Sequence, residues 1–374
     1  MKNSWIKILT GASAAGMLMI SSASYADEEA VLVVPDKGDA TSLKLSGRMH
    51  FQAGYVDQSN DVNSGDWSTM EVRRARVGAK GKFANNISAA VEANVKPSDV
   101  SVSAATLTWG HSDALEVTVG FDKPMVSLEE NTSSASILTV ERSNVNNNIA
   151  AGYDSTGIWA AGEVAPFFYH VGLYNGEGVD DSRNSSGVEA EYMFNARGGI
   201  ELALAEDVDV MAMVSYLESD DPSGELDFDD IAVLSLHFEA GAFDLRTEYF
   251  MGTEGDEDTT GFYIMPSVML SDALEVVARY EMGESDSGSG IRAQSRYARR
   301  TDIVNIGTEV DEDGEESDII ADKGDEFSAI YLGLNYYHQK YNKFMLGVEF
   351  SELENTDAGT LESTTVFSAY RVRF

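Results

Sequence analysis

The sequence of 374 residues has no cysteine, only five histidines and far fewer basic than acidic residues. Without cysteine no disulfide can form, so a fold of this length must be held by hydrogen bonds and packing. Lysine and arginine number 26 against 63 acidic residues, and this balance excludes nucleic acid as a default partner. The sequence has five histidines but no nucleophile motif, and a hydrolase needs both a nucleophile and a base beside it, so an enzyme of this type is not expected.

The sequence also lacks a hydrophobic run long enough for a membrane-spanning helix, which needs about 20 residues. Its longest apolar run, Ile8–Ile20, follows Lys2 and Lys7 and precedes the small residues around Ala26. This pattern predicts a signal peptide over residues 1–26, removed after Ala26. The remaining chain has 24 basic and 63 acidic residues, a formal net charge of −39. Residues 27–41 then form a short N-terminal segment, too small for a plug domain.

From Ser42 onward, segments of about ten residues alternate apolar and polar side chains, a period that only β-strands have. Seven short turns alternate with eight longer connections, which lie at 58–68, 97–99, 122–148, 176–187, 218–230, 252–260, 284–325 and 354–362. The pattern predicts an all-β fold, a transmembrane antiparallel β-barrel of 16 strands over residues 42–374. A soluble periplasmic domain is the alternative, but charged faces opposite modest apolar faces favour a lipid band around a wet lumen.

The last strand places Val366, Tyr370, Val372 and Phe374 on one face, and the sequence stops at Phe374. A terminal aromatic residue on an alternating strand resembles the signal read by the barrel-assembly machinery of the Gram-negative outer membrane. We therefore predict that Tyr370, Val372 and Phe374 form an assembly signal.

Several motifs occur in the same order as in one known family. They are Glu71–Gly81 (EVRRARVGAKG), Val119–Pro124 (VGFDKP), Thr132–Ser134, Val140–Ser143, Gly172–Gly178 and Gly333–Tyr337. Together they resemble the phosphate-selective porin O and P family. The resemblance implies a 16-stranded homotrimeric porin whose third loop, Asp122–Asn148 in this chain, folds inward to narrow the lumen. The constriction residues that it implies here are Lys123, Glu130, Ser133, Ser134, Glu141 and Arg142.

The alternation also predicts which cations face the lumen. In the second strand, alternation places Ala75, Val77 and Ala79 on the face toward lipid. It therefore places Arg74, Arg76 and Lys80 on the face toward the lumen. In the first strand, Lys44 and Arg48 face the lumen in the same way. A row of cations inside a narrow pore attracts anions, and arginine binds phosphate oxygens bidentately. Alternatively, these side chains pair with lumenal acids such as Glu92 or Glu116 and only hold the wall together.

The longer connections carry the opposite charge. Those at 218–230, 252–260 and 284–325 contain 23 acidic and five basic residues. They repel anions at the mouth, or they are simply solvated and bridged to lipopolysaccharide by divalent ions. This acidity departs from a family named for a positively lined channel, and it leaves the phosphate specificity open.

The sequence thus predicts an outer-membrane porin for passive diffusion of small solutes and ions, with phosphate or other anions as candidates. A general or cation-preferring porin is one alternative, and a non-transport anchor or adhesin is another. The expected partners are outer-membrane lipid, lipopolysaccharide, the assembly machinery and small solutes. No cofactor is expected, and the acidic run at 311–318 lacks the spacing of a calcium-binding EF-hand.

Overall fold

The computed structural model describes residues 31–32, 40–97, 99–150, 154–175, 192–219, 228–286, 290–293, 297, 304–310, 316–320, 322–339, 342–355 and 359–374. The predicted signal peptide at 1–26, and most of the segment at 27–41, lie outside these residues. Both therefore stay predictions.

Sixteen long strands form one antiparallel barrel, in which each strand pairs with its neighbours in sequence. The strands are β1 (Ala40–Ser59), β2 (Ser64–Phe83), β3 (Ile87–Lys96), β4 (Asp99–Ser112), β5 (Leu115–Asp122), β6 (Ser155–Val164), β7 (Phe167–Asn175), β8 (Tyr192–Ala205), β9 (Val208–Ser219), β10 (Asp230–Ala240), β11 (Phe243–Glu254), β12 (Glu257–Ser271), β13 (Leu274–Ser285), β14 (Glu326–Gln339), β15 (Asn342–Asn355) and β16 (Gly359–Arg373). Because β16 also pairs with β1, the sheet closes on itself, and the predicted 16-stranded barrel is confirmed.

The structure also contains short strands and helices besides the 16 barrel strands. Val31–Leu32 pairs with β1, Ile291–Arg292 pairs with Lys323–Gly324, and Asn305–Val310 pairs with Glu316–Ile320. Two short helices, α1 (Leu128–Asn131) and α2 (Asn144–Ile149), lie in the third loop. In the described part of the chain, no helix is long and apolar enough to cross a membrane.

Side chains alternate along each strand between an exposed apolar outer face and a buried inner face. In β14, for example, Ile330 and Leu332 are both 49% exposed, whereas Ala329 and Tyr331 are buried. Exposed apolar side chains around a closed barrel are stable only against lipid, so this face is the one that contacts the membrane.

The inner face is less polar than the sequence pattern indicates. Large buried side chains of the wall, including Phe250, Phe367 and Tyr331, form one hydrophobic cluster with Val140 and Val145 of the third loop. Apolar packing inside the barrel therefore helps to hold the third loop against the wall.

One irregularity changes the charge of the inner face. In the pairing of β1 with β2, His50 lies opposite Arg74 and Phe51 lies opposite Val72, so Arg73 is an extra residue in β2. Such a bulge lets two successive side chains point to the same face. Arg73 and Arg74 accordingly both contribute to the interior, which strict alternation does not predict.

The predicted loop at 252–260 is wrong in length. Strand β11 continues to Glu254 and β12 begins at Glu257, so only two residues connect them. Gly255 adopts a φ of +62°, a conformation that glycine reaches without strain and that permits this tight turn. The acidic residues there extend the two strands instead of forming a long loop.

The seam that closes the barrel includes the predicted assembly signal. Tyr370 and Val372 of β16 lie opposite Phe51 and Met49 of β1. Phe374 exchanges two backbone hydrogen bonds with Gly47, at 2.7 and 2.9 Å. Its ring covers Gly47 so closely that a Cβ atom there would lie 2.4 Å from ring carbons. The terminal residue thus completes the pairing of the last strand with the first.

Deletion of Phe374 should lower the fraction of chain that assembles in the outer membrane, because both backbone bonds to Gly47 and the terminal aromatic group are lost. Folded barrels migrate differently on SDS gels before and after boiling, which measures this fraction. The matched variant Phe374→Tyr keeps the aromatic ring and should assemble normally. Normal assembly of the deletion variant would show that the terminal residue is not read as a signal.

Candidate pore constriction

The third loop contacts the wall mainly through hydrogen bonds. Its helix α1 begins after Ser127, whose Oγ accepts a hydrogen bond from the Glu130 amide at 2.8 Å. The amides of Leu128 and Glu129 donate to the carboxylate of Glu248 on β11, at 2.6 and 2.8 Å. A carboxylate is favourable at this position because the first amides of a helix have no partner inside it.

Helix α2 is likewise bound at its start by a carboxylate of the wall, here on β13 instead of β11. Ser143 caps it by accepting a hydrogen bond from the Asn146 amide at 3.3 Å. The amides of Asn144 and Val145 donate to one carboxylate oxygen of Glu281 on β13, at 2.5 and 3.2 Å. Two wall carboxylates therefore fix the starts of both helices.

Between the helices, the loop turns its carbonyl groups toward wall donors. Lys343 of β15 donates to the Ile137 carbonyl and Arg371 of β16 donates to the Val140 carbonyl, both at 2.7 Å. Asn335 of β14 donates to the Leu138 carbonyl at 2.8 Å. Buried backbone groups outside regular structure need such partners, so long cationic side chains here take the place of a neighbouring strand.

Glu141 joins the loop to the first two strands. Arg73 of β2 binds its carboxylate through two nitrogens at 2.8 and 3.2 Å, and Gln52 of β1 donates at 2.7 Å. Burial alone would raise the pKa of Glu141, but the charges of Arg73 and Arg74 and these hydrogen bonds hold the pKa below its usual value. Glu141 is therefore an ionised anchor at neutral pH.

The predicted residues Lys123, Glu130 and Arg142 stabilise the loop itself. The ammonium of Lys123 contacts the Glu130 carboxylate at 2.5 Å, and Arg142 donates to the carbonyls of Glu129, Glu130 and Thr132 at 3.0 to 3.1 Å. Burial would raise the pKa of Glu130, but the charges of Arg142 and Lys123 lower it below its usual value. These side chains hold α1 in place and face one another.

Ser133 accepts a hydrogen bond from Arg48 of β1 at 2.8 Å, and Ser134 is buried beside it in the same loop. Near the start of the loop, Met125 exchanges hydrogen bonds at 3.2 Å with Asn195 of β8. Contacts of the third loop thus reach from β8 and β11 on one side of the barrel to β1 and β2 on the other.

The lumenal cations predicted from sequence divide into paired and unpaired groups. Arg48 and Arg76 share the Oε1 atom of Glu92, at 2.7 and 2.8 Å. Lys44 and Lys80 lie opposite each other in the β1–β2 pairing. Arg74 differs from Arg48 and Arg76, because it forms no ion pair with a carboxylate of the described residues, and its buried Nη1 atom has no hydrogen-bond partner there.

Arg74 belongs to a concentration of positive charge that we call the cationic cluster. Its members are Arg48, His50, Arg74, Lys343 and Arg371, whose charges act on the ring of His50. Neither ring nitrogen of His50 has a hydrogen-bond partner in the described part of the protein, and the same holds for the Nε atoms of Arg48 and Arg371. The cluster therefore retains donors that the wall does not use.

Sequence reasoning missed Arg73, Lys343 and Arg371. The inward direction of Arg371 could have been predicted, because Tyr370 and Val372 face outward and the residue between them must face inward. Lys343 follows a turn and carries little signal in a single sequence. Arg73 could not be found by alternation, because only the bulge in β2 turns it inward.

Comparisons with known proteins agree with this architecture. The family model described as phosphate-selective porin O and P matches residues 43–215. No curated protein sequence matches the chain. Among solved structures, the anion-selective porin from Comamonas acidovorans is 13% identical with a TM-score of 0.59, covering 89% of this chain and 99% of its own.

Two further solved structures are similar in fold. The outer-membrane channel DcaP of Acinetobacter baumannii is 12% identical with a TM-score of 0.58, covering 91% of this chain and 99% of its own. The trimer form of OmpT, an outer-membrane protein of Vibrio cholerae, is 11% identical with a TM-score of 0.56, covering 89% and 99%. At such identities the likeness shows the fold alone.

Fold and family together define an outer-membrane porin, a barrel channel for small solutes. Residues 43–215 match the model of the phosphate-selective porin O and P family, the family that the sequence motifs resemble.

The ion pair of Glu141 with Arg73 predicts a pH dependence. A free glutamate has a pKa of about 4.3, and the pKa of Glu141 in the protein is lower. The stabilisation is therefore complete above about pH 4.3 and is lost as the pH falls through the lowered value. The Glu141 anchor should therefore cause no change in single-channel conductance from about pH 7 to 5, and a change that depends on Glu141 should appear only below about pH 4.

Arg73→Gln removes the largest attraction on the Glu141 carboxylate, so the pKa of Glu141 rises and the conductance change should begin at a higher pH. Arg76→Gln is the matched control, since Arg76 lies on the same strand but binds Glu92. If the conductance of wild type and of Arg73→Gln begins to change at the same pH, the ion pair with Arg73 does not anchor Glu141.

Proposed function

We propose that the chain is a porin that favours small anions, with the third loop as its constriction and the cationic cluster lining the solute path. The unused donors of the cluster support this proposal most directly. Arg74 Nη1 and one ring N–H of His50 can donate hydrogen bonds to an oxyanion, and a guanidinium suits phosphate oxygens well.

Several acids that face the same interior beside the third loop are engaged by wall and loop donors. Glu248 accepts from two loop amides, Ser235 and Tyr263, while Glu349 pairs with Arg279 at 3.0 Å. Glu275 accepts from Ser267, Asn335 and Tyr337. A permeating cation would have to displace these donors, whereas the positive charge of the cationic cluster attracts an anion and repels a cation.

A cation-preferring porin is the second candidate, and the acidic mouth favours it. Asp229, Asp230, Glu254, Glu257 and Asp258 lie at the outer ends of β10 to β12 or beside them. Charges at a mouth act through electrolyte and are screened beyond about 8 to 10 Å at ordinary salt. Charges in a narrow site are screened less, which supports control by the cationic cluster.

The remaining parts of the proposal concern assembly and location in the cell. We infer export through cleavage after Ala26, recognition of Tyr370, Val372 and Phe374 by the assembly machinery, and a homotrimer surrounded by lipid and lipopolysaccharide. A trimeric form is recorded for the similar OmpT of Vibrio cholerae. The exposed apolar face of the strands supplies the surface for lipid and for neighbouring copies.

Two single substitutions test the selectivity. Arg74→Gln removes an unpaired cation, so the reversal potential in a salt gradient should shift toward cations, and phosphate should block chloride current less. Arg76→Gln is the matched control on the same strand. Its charge is compensated by Glu92, so it should shift the reversal potential less.

Both effects of Arg74→Gln must occur together for the anion proposal to hold. A wild-type pore that remains strongly cation-selective at high salt, with Arg74→Gln indistinguishable from it, would establish the cation-preferring candidate instead. A chain that inserts into planar bilayers without any conductance would identify a non-transport barrel.

Shortening the third loop between Asn131 and Asn144 tests the constriction. The change removes the carbonyls bound by Lys343 and Arg371 together with Glu141, so single-channel conductance should rise. Heat-dependent migration on SDS gels serves as the control for an intact barrel. A folded variant with unchanged conductance would place the loop outside the conducting path.

A further inference from the structure

A second cluster of polar side chains lies near the turn end of the barrel, on β10 and β11. His237 and Glu239 project inward from β10, and Asp244 projects inward from β11 just after the turn at Gly241 and Ala242. One ligand atom from each of the three residues can be chosen so that all lie within 4.8 Å of one another. His237 is buried, and both carboxylates are partly buried.

The distances suit a common metal ion. His237 Nε2 lies 2.8 Å from Asp244 Oδ2 and 3.8 Å from Glu239 Oε1. Zinc binds imidazole nitrogen and carboxylate oxygen at about 2.0 to 2.2 Å, so ligand atoms in a tetrahedral site are about 3.3 Å apart. The observed separations lie on either side of that value, and shifts of about 0.5 Å in flexible side chains would bring the three atoms around one ion.

Arg246 orients one of these ligands. It binds Asp244 through Nε and an Nη atom at 3.0 and 3.1 Å, and it lies directly opposite His237 in the strand pairing. Groups that hydrogen-bond a ligating carboxylate fix its direction and are a regular part of metal sites. The Asp244 carboxylate is thus held with Oδ2 toward His237.

Further acids surround the three residues. The charges of Glu163, Asp209 and Glu239 act on Glu201 of β8, as does His237. Five carboxylates against one arginine concentrate cations at this part of the wall, because a lumen with low-dielectric walls focuses the field. The arginine also lines a cavity with residues of the third loop, so these acids lie close to that loop, whereas the cationic cluster consists of other residues.

We propose that His237, Glu239 and Asp244 form a binding site for a divalent transition-metal ion of the zinc class at the turn end of the lumen. An imidazole with two carboxylates and no thiolate suits such an ion. Three protein ligands leave a coordination position open toward the lumen, where water or a permeating anion binds. The site does not depend on the selectivity proposed above.

The sequence pattern does not predict this site. The spacing of two residues between His237 and Glu239 places both on one strand face, but Asp244 joins them only through the hairpin. No contiguous metal motif results, and no metal site was expected from the sequence.

The test is titration of the purified full-length protein with Zn²⁺ by calorimetry, together with the visible spectrum of added Co²⁺. Wild type should bind one ion per chain and give the absorption of a cobalt ion with nitrogen and oxygen ligands. His237→Ala should lose both signals. Glu239→Gln keeps the shape of the side chain and the contact of His237 with Asp244, and it should weaken Zn²⁺ binding at least about tenfold.

His338→Ala is the matched control, because this exposed histidine at the same end contacts Tyr370 and no carboxylate in the described structure. It should bind Zn²⁺ as wild type does, and heat-dependent migration should confirm that all variants fold. Absence of saturable binding by wild type would overturn the proposal. The same conclusion would follow if folded His237→Ala and Glu239→Gln both kept wild-type affinity.

Discussion

Every backbone amide and carbonyl that faces hydrocarbon must find a partner within the protein, because lipid offers none. This requirement explains why the strands close into a ring and why β16 pairs with β1. Once the ring is closed, the outer face is free to be apolar and the inner face is free to carry charge. Buried acids and bases can therefore accumulate inside at a density that a soluble core rarely tolerates.

The third loop meets the same requirement without a neighbouring strand. Its amides are satisfied by the carboxylates of Glu248 and Glu281, and its carbonyls by Lys343, Arg371 and Asn335. Charged and polar side chains of the wall thus take the place of a neighbouring strand for this loop. Arg74 remains available because Arg73, displaced by the bulge, takes the contact with Glu141.

The strand period was sufficient to predict the barrel, the strand number and the inward direction of Arg48, Arg74 and Arg76. Alternation is a local property that a single sequence displays directly. It could not reveal the bulge at Arg73, the short turn at Gly255 or the pairing of Glu141 with β1 and β2. These depend on register and on contacts between residues far apart in sequence, such as Glu141 and Gln52, for which the pattern of one segment holds no information.

The pairing of the last strand with the first also affects the rate of folding. Residues near the beginning of the barrel, such as Arg48 in β1, pair with residues of the last strand, such as Arg373 in β16. No partial product of synthesis can therefore satisfy both edges of the growing sheet, and contacts so distant in sequence form slowly. Until the last residues arrive, the first strand offers an open edge to any other chain. Closure of the ring removes that open edge, because β16 then occupies it.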